Sequence, residues 1–164
     1  MAIILVPNVT LLPQDKSNGC WYFCAKMMHK WSVDTKKGRI VDPTTVTTPD
    51  NLPELYKLNS GWSIRTCKTI APRLGMTALP RVKRGFAEFK TLLANGPIWA
   101  SGAKGGSTGS YHVVVIAGVA DTGLFVYDPL PLNVGQKVWR TWDWMEGYFA
   151  LTDGGIDSNL LVPG

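Results

Sequence analysis

The chain has 164 residues, a net charge of +5, and 45% hydrophobic against 18% charged residues. That balance excludes a disordered polyelectrolyte, and the length sets a single domain whose core is large enough to hold without metal or disulfide staples. No run approaches the roughly 18 apolar residues of a bilayer span, and three cysteines cannot all pair within one chain, which argues against a disulfide framework.

In chain order, residues 1–19 read as extended chain or loop, because Pro7 and Pro13 interrupt any helix. The apolar run from Ile3 to Val6 is too short for a signal-peptide core and has no basic residue before it. A cytoplasmic location is the default expectation, with export by a leaderless, effector-type route as the other. Residues 20–31 predict a helix whose only polar positions, Lys26, His29 and Lys30, fall at i, i+3 and i+4. One narrow polar stripe on an apolar cylinder marks a central, mostly buried helix. Asn18-Gly19 precede it as a turn, with Asn18 as the expected cap.

Residues 32–60 are polar, rich in Pro and Thr, and without a clear period. Residues 63–74 predict a helix ending at Gly75, with Pro72 disturbing its last turn. Residues 86–95 predict an amphipathic helix on Phe86, Phe89, Leu92 and Leu93, closed by Asn95-Gly96-Pro97. The second half changes character. A strand is expected at 98–101, a glycine-rich loop at 102–110 and an apolar β-rich run at 112–119. The turn Asp121-Thr122-Gly123 leads to a strand at 124–127, a further strand at 136–140 and a short helix at 141–147. Helices first and an antiparallel sheet second give an α+β class. Within one domain, 1–164, the helical lobe covers about 14–95 and the sheet lobe about 96–164.

With 3 Cys and 2 His, few catalytic sites can be assembled. Cys20 stands at the predicted helix N-terminus, where the helix dipole favours a thiolate. Cys24, one turn deeper, and Cys67, mid-helix, read as core residues. A thiolate nucleophile needs an imidazole to activate it and to protonate the leaving group. His29 lies nine residues along the same helix, roughly 13 Å away at 1.5 Å per residue, and reads as a cation near the helix C-terminus. His112 remains, opening the apolar strand after the glycine-rich loop. Asp128 ends the following strand and is the carboxylate expected to orient His112. Simple hairpin pairing leaves the two offset by a few residues, so their contact does not follow from register alone. Asp121 competes, but it sits in the turn at the far end of the hairpin.

The stretch Gln14-Asp15-Lys16-Ser17-Asn18-Gly19-Cys20-Trp21 resembles the nucleophile segment of papain-like cysteine peptidases, in which a glutamine precedes the cysteine by six residues and a tryptophan follows it. His112-Val113-Val114-Val115-Ile116 and Tyr127-Asp128-Pro129 are similar to that family's histidine strand and its Asn/Asp strand. Leu92 to Ile98 and Gly61 to Met76 are similar to segments of compact bacterial members. These include bacteriocin-leader (double-glycine) peptidases and effector peptidases of plant-associated bacteria.

The resemblance implies Cys20 as nucleophile, His112 as general base and acid, and Asp128 as its orienting group. It implies oxyanion donation from the Gln14 amide and the Cys20 N–H. It places Trp21, Gly61, Trp62 and Tyr111 along the substrate groove. Ser17 stands where secreted plant and lysosomal members have a disulfide cysteine, so that bridge is absent, and a Cys24–Cys67 bridge stays open. Pro129-Leu130-Pro131 follow Asp128 where the family has a tryptophan, leaving Trp139, Trp142 or Trp144 to shield the His–Asp pair or simply to pack in the core. No inhibitory prosegment is expected before Gln14.

No cofactor is expected. Cys20 and Cys24 share a helix face, but no second pair of ligands has zinc spacing. Lys36-Lys37-Arg39 and Arg81-Lys83-Arg84 are short clusters without regularly spaced aromatics, so they read as solvated loops and nucleic acid is not an expected partner. The expected reaction is peptide-bond hydrolysis through a thioester. An amidase, deamidase or transglutaminase of the effector or toxin type, and a non-catalytic binding module on the same fold, are the alternatives. The expected partners are a peptide or protein substrate, peptidoglycan peptides included, and an inhibitor or immunity protein. The chain is expected to be a monomer that binds no membrane.

Overall fold

A computed structural model describes residues 2–61, 67–103, 111–150 and 158–164. Five helices are described: α1 (Cys20–Thr35), α2 (Leu52–Lys57), α3 (Cys67–Arg73), α4 (Phe86–Leu93) and α5 (Trp142–Phe149). The strands are β1 (Ile3–Leu5), β2 (Met76–Ala78), β3 (Ile98–Ala103), β4 (Tyr111–Ala120), β5 (Gly123–Asp128), β6 (Gln136–Thr141) and β7 (Leu160–Pro163). They form one antiparallel sheet in the order β2-β7-β3-β4-β5-β6, with β1 also pairing β4.

The central helix forms as its pattern requires. Cys20, Trp21, Cys24, Met27, Met28 and Trp31 are buried, while Lys26, His29 and Lys30 are half-buried on the polar stripe. It runs a turn beyond the expected end, to Thr35, and closes on Lys36 in the left-handed region, whose N–H donates to the Val33 carbonyl. His29 is therefore mid-helix rather than at its C-terminus. Its ring lies against the Ile40 carbonyl at 2.9 Å and near the Asp42 carboxylate at 3.9 Å. Asn18 is not the cap. Gly19 occupies that position without a side-chain bond, and the Asn18 amide is engaged elsewhere.

β4 is buried from its second residue to its last, because partners flank both edges and helices α1 and α4 pack against it. One edge is shared: β3 pairs with residues 111–116 of β4 and β1 with residues 118–120. β6, at the sheet's end, alternates half-buried and exposed positions. The short strands β1, β2 and β7 went unread in the sequence, since three or four residues carry too little alternation to show a period. The expected start of α3, over 63–66, and most of the 102–110 loop lie outside the described residues.

α5 is fastened to the sheet by Tyr148, whose hydroxyl lies 2.8 Å from the Ala100 carbonyl and 2.7 Å from the His112 carbonyl. Gly102 makes that fit. A Cβ on Gly102 would come within 2.4 Å of the Tyr148 ring and carbonyl. Gly102→Ala is expected to destabilise the fold by about 1–3 kcal/mol, as overpacking does. A urea melt measures this, and an unchanged midpoint would show that α5 moves freely.

Candidate active site

Cys20 is the first residue of α1. Its N–H belongs to the opening turn, where donors lack intrahelical acceptors. The thiol stands beside the imidazole of His112 on β4, close enough to raise its pKa. On the other side of the ring, His112 Nε2 meets Asp128 Oδ1 at 2.6 Å, with both side chains about nine-tenths buried. Nδ1 is thus the ring nitrogen left to face the thiol. The same Asp128 oxygen accepts the Leu130 N–H at 2.9 Å, which fixes the carboxylate.

A β-bulge produces this contact. Near the turn, Gly118 pairs with Phe125 and Val119 with Leu124. Continued unbroken, that register would set Asp128 opposite Val115, on the face away from His112. The ladder instead shifts by one residue between Ile116 and Gly118, so that Val115 pairs with Tyr127. One step further sets Asp128 opposite Val114, on the His112 face. His112 and Asp128 become diagonal neighbours, with Cβ atoms about 7 Å apart in such a pair, within reach of their side chains. One extra residue in one strand flips every following side chain relative to its partner.

Burial by itself would pull the His112 imidazole toward its neutral form. Hydrogen bonds to Asp128 and Cys20, and their charges, outweigh it and raise the pKa to about 9. The ring is thus poised as imidazolium at neutral pH. Cys24 is the opposite case. Fully buried, with its thiol donating to the Val113 carbonyl at 3.3 Å, it is held well above the ordinary thiol range by burial and by Cys20 and Asp128 nearby. The three cysteines are reduced, and Cys24 and Cys67 form no bridge. Iodoacetamide near pH 6 is expected to alkylate Cys20 well before Cys24 or Cys67, read by peptide mass mapping. Equal labelling of all three would dissolve the distinction.

Gln14 is wholly buried. Its amide Nε2 donates to the carbonyls of Lys16 at 2.8 Å and Ser17 at 3.1 Å, while Oε1 has no partner. Flipping the amide would set an oxygen against two carbonyls, so the orientation follows from the turn. Both amide protons face the turn before Cys20. Donation to an oxyanion requires one of them, with the longer Ser17 contact the one to yield. The Gln14 backbone is tied to the segment after Asp128: its N–H donates to the Pro129 carbonyl and its carbonyl accepts from Asn133 N–H.

The expected groove residues separate. The Trp21 side chain is 2% exposed, and its indole N–H donates to the Ser60 carbonyl, so it joins two segments instead of lining an open surface. Gly61 has open space where a side chain would project, and Tyr111 is exposed at the start of β4. Trp62 lies outside the described residues. Trp139 packs on Phe125, Trp142 on Phe89 and Trp144 on Tyr148. Asp121 is exposed in the hairpin turn, and its carbonyl accepts from the Trp142 indole. Tyr148 was missed by sequence reading. It sits 20 residues past Asp128, in a short helix where no catalytic motif marks it.

A cysteine opening a buried helix, facing a histidine on the strand behind it, on a helix-against-sheet fold, is the arrangement of the papain-like cysteine peptidases. A family model described as papain-like cysteine protease AvrRpt2 matches residues 5–140, and the chain belongs to that family. It is a papain-like cysteine peptidase. Among solved structures, a C39-like peptidase from Bacillus anthracis superposes with a TM-score of 0.56 at 15% identity, covering 99% of this chain and 98% of the other. That likeness concerns the fold. No curated protein matches the sequence. Among the described residues, no helix is long and apolar enough to cross a membrane.

Proposed function

We propose that the chain hydrolyses peptide bonds through Cys20, His112 and Asp128 by way of a thioester. The observation that carries this reading is the buried 2.6 Å contact between His112 and Asp128, with Cys20 near enough to the same imidazole to raise its pKa. The thiolate attacks the scissile carbonyl carbon, and the oxyanion forms at the N-terminus of α1, against the Cys20 N–H and, once it yields its Ser17 contact, the Gln14 amide. The imidazolium gives its proton to the leaving nitrogen and the C–N bond breaks. Water then attacks the thioester, His112 takes its proton, and the thiolate leaves with the acid product free. Asp128 holds the tautomer and offsets the imidazolium charge throughout. The substrate in this reading is a peptide or protein chain laid past Gly61, where space is open, and Tyr111, which is exposed.

The test is mass spectrometry of a proteome and a peptidoglycan digest, each incubated with wild type and with Cys20→Ala. New peptide termini made only by wild type support proteolysis. Gln-to-Glu mass shifts, isopeptide cross-links or cleaved muropeptides would reassign the same site to a deamidase, transglutaminase or amidase. Identical products from both proteins would remove Cys20 from the chemistry.

A further inference from the structure

The turn that delivers Cys20 is gripped from two sides. From inside, the Gln14 amide holds the carbonyls of Lys16 and Ser17. From outside, the end of α2 reaches across roughly forty residues of sequence. The Asn59 side chain accepts the Asn18 N–H at 2.9 Å through Oδ1 and donates to the Ser17 hydroxyl at 2.9 Å through Nδ2. The Asn18 amide returns a bond to the Asn59 carbonyl at 2.9 Å. On either side, the Tyr56 hydroxyl bonds the Asp15 carboxylate and the Trp21 indole bonds the Ser60 carbonyl. Asn59 adopts φ of 53°, a left-handed conformation that asparagine tolerates and most residues do not. Its backbone is fixed there by its own N–H to the Tyr56 carbonyl and by Ser60 N–H to the Leu55 carbonyl.

We infer that Asn59 is a positioning residue that holds the Ser17–Asn18 turn in the geometry delivering Cys20 to His112. This rests on the reading of Cys20 as nucleophile. The physical basis is that the turn has no strand or helix partner of its own. Residues 15–19 precede the helix; one backbone bond, Gly19 N–H to the Lys16 carbonyl, closes the turn on itself, and the bonds described above that tie it to Gln14 and to the end of α2 come from side chains. The direction of the Cys20 thiol and of its N–H follows from the backbone of this turn, and small displacements there are costly to a reaction that depends on near-attack geometry. Ser17 is thus held by a hydrogen bond, which no reductant breaks.

Two readouts need no substrate: the iodoacetamide alkylation rate of Cys20, and the NMR titration midpoint of His112, which Cys20 helps to raise. Asn59→Ala is expected to slow Cys20 alkylation about tenfold, as loss of alignment does, and to bring the His112 midpoint down from about 9. Asn59→Asp is expected to restore both, because its two oxygens accept the Asn18 N–H and the Ser17 hydroxyl proton. Ser17→Ala, which removes one bond only, should move both in the same direction by less, and it covers the case in which Asn59→Ala does not fold. Wild-type alkylation and titration in Asn59→Ala, or an Asn59→Asp protein no better than Asn59→Ala, would overturn the inference. The nucleophile reading fails on a different result, the retention of hydrolysis by Cys20→Ala.

Discussion

Cys20→Ala should lower the hydrolytic rate by about a million-fold, the scale seen when the nucleophile of a catalytic triad is removed. Without sulfur no thioester forms. What remains is binding and oxyanion stabilisation acting on water. The fold should survive: the change deletes one atom at a helix start that retains slight exposure, and no hydrogen bond of the sheet is touched. Thermal melting and turnover measured on the same sample separate the two effects. Cys24→Ala supplies the contrast one turn deeper. It vacates a fully buried site and the bond to the Val113 carbonyl, so it should lower the melting temperature while leaving turnover close to wild type. Residual activity in Cys20→Ala within tenfold of wild type would transfer the chemistry to another group.

Asp128→Ala should lower turnover by about ten-thousand-fold, the scale of losing a triad carboxylate. Asp128→Asn should lose far less, because an amide oxygen still accepts from His112 Nε2 and from the Leu130 N–H. The two variants therefore divide orientation from charge. The charge has its own signature in stability against pH. The folded protein holds a proton on His112 up to about pH 9, whereas the unfolded chain loses it near 6.5. A pKa raised on folding gives a stabilisation present in full below about pH 6.5 and lost as pH rises through about 9. Its slope approaches about 1.4 kcal/mol per pH unit within that window. Urea melts between pH 6 and 9.5 should show the decline from His112 in wild type and a shallower one in Asp128→Asn. Equal slopes would mean that the carboxylate does not hold the imidazolium.

How much of this was legible in the sequence depended on distance along the chain. Local signals carried α1, α4, the β4–β5 hairpin and the candidate nucleophile, because apolar period and turn residues act over a few positions. The Gln14-to-Cys20 spacing was legible as a resemblance. The direction of the Gln14 amide was not, since the carbonyls of Lys16 and Ser17 set it only once the turn is folded. Asn18 read as a cap, a role any Asn before a helix suggests. Its actual partner, Asn59, lies 41 residues away and leaves no periodic trace. Trp21 read as a groove residue by analogy and proved to be an internal brace to Ser60.

The sequence by itself narrowed the chemistry: with 3 Cys and 2 His, and His29 carried away from Cys20 by helix rise, one cysteine–histidine pairing stood out, and the resemblance to papain-like peptidases gave it an expected role. It also determined that a buried helix would present that cysteine, because hydrophobic patterning is a property of neighbours in sequence. The tertiary structure alone decided whether Asp128 meets His112. The one-residue shift between Ile116 and Gly118 sets that register, and strand register is fixed by packing and hydrogen bonding across the whole sheet. It alone decided how the Cys20 turn is held, through Gln14 and Asn59, because a side-chain bond between distant segments exists only after the chain has brought them together.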